Sequence, residues 1–64
     1  MFGKIAKHYG YYVQVQVLHS NAGYYIGTHL DGTPLTRESN EYYKSKVAAN
    51  RALVSGSWTQ RNVP

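Results

Sequence analysis

The side chains able to do acid–base or metal chemistry in this chain are few and scattered. Its histidines are His8, His19 and His29, its carboxylates are Asp31, Glu38 and Glu41, and it has no cysteine. No two histidines stand four residues apart, and His29 with Asp31 is the closest pairing of ligand types. Structural zinc takes four ligands, so the sequence predicts no metal site and no cofactor. Hydrolysis needs a nucleophile, a base and an orienting group converging in a pocket. Ser39 lies between Glu38 and Glu41, but proximity along a chain is not a triad, and the prediction is a non-enzymatic protein.

The most concentrated polar stretch is Thr36-Arg37-Glu38-Ser39-Asn40-Glu41. It reads as a solvated edge or loop. Arg37 could grip a phosphate or a carboxylate through its bidentate fork, although the neighbouring glutamates oppose a phosphate there.

Recognition is the chemistry that remains, and doubled tyrosines carry it: Tyr11-Tyr12, Tyr24-Tyr25 and Tyr42-Tyr43. Neighbouring side chains of a strand point to opposite faces, so each pair places one ring inside and one outside. Tyr11 and Tyr24 are expected in the core. Tyr12 and Tyr25 are expected outside, on an open face with Gln14, Gln16, Gly27 and His29. Flat rings, amides and a histidine on a basic domain suit the stacking of unpaired bases. Lys44 and Arg51, with Lys4, Lys7 and His8, would supply phosphate contacts. The bland reading is that tyrosine forms strands well and that exposed cross-strand rings stabilise a thin sheet. The alternative function is a protein-interaction module or homodimer, using the same face or an edge strand at residues 33–41.

These residues depend on a small set of elements. YYVQVQVL (11–18) alternates with Tyr11, Val13, Val15 and Val17 on one face, and residues 23–30 alternate with Tyr24, Ile26, Thr28 and Leu30 together. A hairpin around Ser20 and Asn21 would set Val17 opposite Tyr24, Val15 opposite Ile26, Tyr12 opposite His29 and Gln16 opposite Tyr25. Asp31-Gly32 is a tight-turn dipeptide. Beyond it, residues 33–41 are either a third strand, confined to an edge by Pro34, or an extended loop. Ser45 reads as the N-cap of a helix over about 46–55 that stops at Gly56, with Ala48, Ala49, Ala52 and Leu53 on one face; a start nearer Asn40, which would bring Tyr42 onto that face, is the alternative. SWTQR (57–61) reads as a last short strand anchored by Trp58. Residues 1–9 and 62–64 are read as ends that fray. The fold expected is α+β, an antiparallel sheet of three or four strands with one helix packed on one face, in the order β-β-β-α-β.

Composition sets the outer bounds. The 64 residues allow one domain of marginal stability, which makes self-association a natural remedy. Seven Lys and Arg against three Asp and Glu give a formal charge of +4, which favours polyanionic partners or merely solubility. No apolar run approaches a membrane span and no signal peptide is evident, so the expectation is a soluble cytoplasmic protein without membrane partners.

GYYIGT (23–28), RES (37–39), Tyr42-Tyr43 and the closing ALVSGSWTQR (52–61) together resemble a group of short uncharacterised proteins of bacteria and their mobile elements, over residues 23–61. That resemblance implies a single compact module and brings no activity and no functional residue. The order of elements is also similar to integrase arm-binding and plant AP2-type DNA-binding domains, whose three-stranded sheet enters the major groove. Those sheets read DNA with several arginines and aromatics, whereas the face expected here offers glutamine, tyrosine and histidine and no arginine.

Overall fold

The computed structural model describes residues 1–62 of the chain and contains α1 (Lys4–His8), β1 (Gln16–Ser20), β2 (Gly23–Leu30), β3 (Thr33–Arg37) and α2 (Lys46–Ser55). The strands form one antiparallel sheet in the order β1-β2-β3. This is the α+β class expected, and the order of strands and helix fits approximately. The strand anticipated over 57–61 is reduced to a single bridge between Ser39 and Gln60. Residues 1–9, expected to fray, contain α1, while the end of the 62–64 stretch lies outside the described residues.

β1 and β2 pair two residues away from the expected register: Val17 stands opposite Ile26, Leu18 opposite Tyr25 and Gln16 opposite Gly27. A shift of two leaves every side chain on its expected face, so the apolar set survives. The turn falls on Asn21 and Ala22, because the Ser20 hydroxyl accepts the Ala22 N–H at 3.2 Å and Ser20 pairs with Gly23. Upstream of Gln16 the chain leaves β2. Residues 13–15 pair instead with the N-terminus: Gly3 N–H donates to Val13 and Val15 N–H to Met1, at 3.0 and 2.9 Å.

Asp31-Gly32 makes the second turn, both residues at positive φ (53° and 79°), as a two-residue hairpin of the inverted kind requires. β3 follows with Pro34 within it, on the outer strand of the sheet. Between Thr28 and His29 the ladder carries a bulge: His29 pairs with Pro34, Thr28 with Thr36 and Gly27 with Arg37, which leaves Leu35 as the extra residue.

α2 follows its sequence signals closely. Ser45 caps it by accepting the Ala48 N–H at 3.1 Å, and Gly56, in the left-handed conformation, ends it. Ala49 and Ala52 are its buried residues. Ala52 packs with Val15 and Ile26, and Tyr43, Leu53 and a half-buried Trp58 close around them. Among the described residues no helix is long and apolar enough to cross a membrane.

The polar block read as solvated is the interior joint of the molecule. Glu38 and Ser39 are fully buried. The Glu38 carboxylate accepts the N–H groups of Ile5 and Ala6 at 2.9 and 3.0 Å, the Thr36 hydroxyl at 2.6 Å and the Gln60 amide at 2.8 Å. With its proton committed to Glu38, Thr36 must accept the hydroxyl of Thr28. A five-residue helix such as α1 is too short to persist alone, and its own glycine N-cap offers no side chain. Glu38 caps it from across the sequence, next to Ile5 and Ala6, which are buried. Gly3 completes the fit: a Cβ there would come within 2.6 Å of the Thr28 methyl and 2.7 Å of a Glu38 oxygen. Burial pushes the Glu38 carboxyl up, but the Ile5 N–H, the Thr36 hydroxyl, the Gln60 amide and the Ala6 N–H together outweigh it and hold the group below the usual carboxylate range.

Candidate nucleic-acid interface

Successive residues of β2 face opposite ways, so Tyr25 lies on the side of the sheet away from Ile26 and its Ala52 contact. There it is not exposed as expected: only 6% of Tyr25 is accessible. Its ring folds back over Gly27, where a Cβ would meet the ring at 2.9 Å and would clash with the Thr36 carbonyl oxygen. The gap anticipated at Gly27 is thus filled by the neighbouring tyrosine, and only glycine fits beneath it. Burial pushes the Tyr25 phenol up, the Tyr42 phenol pushes it further, and the Arg37 guanidinium opposes both.

Tyr42 stands edge-on to Tyr25, ring centroids 5.8 Å apart, and is itself 40% exposed. Arg37, opposite Gly27 on β3, lays its guanidinium over the Tyr42 ring at 4.7 Å from the centroid and also donates to the Tyr42 hydroxyl. Its Nε is buried and has no partner among the described residues. Its backbone carbonyl is held by the Arg61 guanidinium at 3.3 Å. A cation, an exposed ring and a buried bracing ring therefore sit together, a geometry suited to stacking a planar ligand and holding an anionic group.

The residues singled out from the sequence are placed unequally. Gln16, half-buried, stands opposite Gly27 and belongs to this side of the sheet, as does Tyr25 beneath the surface. Tyr12 and Gln14 are exposed, but on the segment that pairs with the N-terminus. Tyr12 meets Phe2 edge-on at 6.4 Å and Gln14 accepts the terminal amine at 2.6 Å. Tyr12 therefore does not face His29, which pairs with Pro34 and is half-buried. Tyr11, expected inside, is 42% exposed because the chain has left β2 before reaching it. Tyr24, also expected inside, is half-buried and stacks on exposed His19 at 4.2 Å. Lys44 is exposed just before the α2 cap. Arg51 lines an open depression of about 470 Å³ with Lys46, Val47 and Asn50 along the flank of α2. It lies on the helix face turned away from buried Ala49 and Ala52, apart from Arg37 and Tyr42.

Arg37 and Tyr42 are the members of this cluster that sequence reasoning left out. Arg37 was visible as a phosphate-binding type, but a regular hairpin from Asp31-Gly32 would set it opposite Ile26, facing the core. The bulge at Leu35 adds one residue and turns it to the Tyr25 side. Tyr42 was visible as half of a doubled tyrosine, with Tyr43 pairing to Tyr24 through reciprocal backbone hydrogen bonds and packing against the core. Among the described residues no three histidine or carboxylate side chains gather as metal ligands. Comparison with protein-family models, curated proteins and solved structures finds no match to this chain.

Proposed function

We propose that this protein is a non-enzymatic module that binds nucleic acid at unpaired bases, with α2 packed over one side of the sheet and the Tyr25 side left as the contact surface. The observation that carries the reading is Arg37 laid over the exposed ring of Tyr42. Ring and guanidinium plane both stack bases, each stacked base being worth about 1 to 3 kcal/mol, and the guanidinium charge suits a phosphate. Because Tyr25 braces Tyr42 from below, little side-chain freedom is lost on binding. The charge balance supports the same partner: of the three acids that offset seven cations, Glu38 is turned fully inward.

The test is a backbone amide NMR titration with short single-stranded and duplex oligonucleotides at two salt concentrations. Shifts centred on Gln16, Gly27, Arg37 and Tyr42 are expected with the single strand, weakening as salt rises and disappearing in Arg37→Ala. Silence at those amides with both oligonucleotides ends the proposal. Shifts confined to Phe2, Tyr12 and Gln14 would move the contact surface to the chain start.

A further inference from the structure

The two outer strands of the sheet are not alike. β3 carries Pro34, a bulge and Arg37, all features that discourage further strand pairing. β1, QVLHS, has no proline, no bulge and no lysine, arginine or carboxylate.

The hydrogen bonds of β2 show which groups of β1 face outward. In an antiparallel ladder a residue's N–H and C=O point to the same side. Ile26 directs both toward β3, donating to the Ser39 hydroxyl at 3.0 Å and accepting from the Glu38 and Ser39 N–H groups at 2.8 and 2.9 Å. Tyr24 directs both to Tyr43, at 2.9 and 2.6 Å. Val17 and His19, opposite Ile26 and Tyr24, therefore turn their own backbone groups out of the sheet. Val15 is the next residue in this outward series, and its N–H is taken by Met1 at 2.9 Å. Met1–Gly3 thus pairs with this edge along residues 13–15. Val17 and His19 have no backbone partner there among the described residues.

We propose that this edge takes a second copy of the chain, β1 pairing antiparallel with β1 about a twofold axis through Leu18 to make a six-stranded sheet. Geometry leaves one register. Pairing Val17 with itself would demand Val15, which Met1 occupies, and pairing His19 with itself would demand Asn21, which lies in the turn. Centred on Leu18, each Val17 meets the His19 of the other copy in two reciprocal N–H···O=C pairs. Leu18 meets Leu18 on the Tyr25 side, Gln16 meets Ser20, and no like charges are opposed. The contact is isologous, as closed dimers require, and it supplies the apolar burial that a 64-residue domain is short of. It does not depend on the nucleic-acid reading, since Arg37 and Tyr42 lie toward the other edge.

The test combines sedimentation from about 10 μM to about 1 mM with amide hydrogen exchange on the same samples. Dimer formation is expected, with the Val17 and His19 amides slowing at least about tenfold as concentration rises, while Leu18, bonded into β2, is protected throughout. Backbone N-methylation of His19, accessible by chemical synthesis, removes an outward donor without touching the β1–β2 ladder and should return a folded monomer. Leu18→Lys, which sets two like charges at the axis, should do the same. A chain that stays monomeric, a dimer protected elsewhere, or a dimer that tolerates both changes overturns the proposal.

Discussion

The segment from Thr36 to Tyr43 has two sides, and they use polar residues in opposite ways. Inward, Thr36, Glu38 and Ser39 form a closed network, in which the Glu38 carboxylate receives two backbone N–H groups, a hydroxyl and an amide. Outward, the Arg37 guanidinium lies over the partly exposed ring of Tyr42. A buried polar group that is fully satisfied specifies the fold. A cation stacked on a partly exposed ring offers a surface to a planar ligand. Residue type does not separate the two, because six polar residues in a row look alike until their hydrogen bonds are counted.

The comparison is sharpest at Glu38. Glu38→Ala leaves the Ile5 and Ala6 N–H groups buried without acceptors and should cost about 3 to 5 kcal/mol, enough to unfold much of the protein in a denaturant titration. If the cost is below about 1 kcal/mol, the joint is not what holds α1.

Acid should expose the same joint. The Glu38 carboxyl is held below its ordinary range in the folded protein, so its contribution is fully present above the unfolded value of about 4.3. It is lost as pH falls through the lower folded value. Melting temperature should therefore drop on acidification across that window. Glu38→Gln should start lower and show a flatter acid limb.

Gly27 links the two sides, since the Thr36 carbonyl and the Tyr25 ring both press on it. Gly27→Ala cannot be relieved by a flexible side chain at the carbonyl and should destabilise by about 2 to 3 kcal/mol, with a changed Tyr25 ring environment in NMR spectra. An unperturbed Tyr25 would show that the ring does not depend on this gap.

The smallest effect is expected outside. Arg37→Ala, which removes a stack over a partly exposed ring, should change stability by less than about 1 kcal/mol. Paired with its expected loss of oligonucleotide shifts, this would separate a binding role from a structural one. A large loss of stability would place Arg37 with Glu38 as part of the joint.

Local signals alone determined several elements. Ser45, the alanine spacing and Gly56 point to α2 and its end, because capping and periodicity act within one or two turns of chain, and of the two starts the sequence allowed the structure takes the one at Ser45. Alternation in 23–30 and the Asp31-Gly32 turn specify β2 and its hairpin for the same reason. Tertiary structure decided what depends on partners distant in sequence. The strand read over 11–18 became Gln16–Ser20, with residues 13–15 pairing to Met1–Gly3 on the edge away from β2. α1 exists because a glutamate more than thirty residues away caps it. A single extra residue at Leu35 turned Arg37 from the core side to the open one. Side-chain alternation states that neighbours part company, but which neighbour is buried is settled only when the opposing surface is in place.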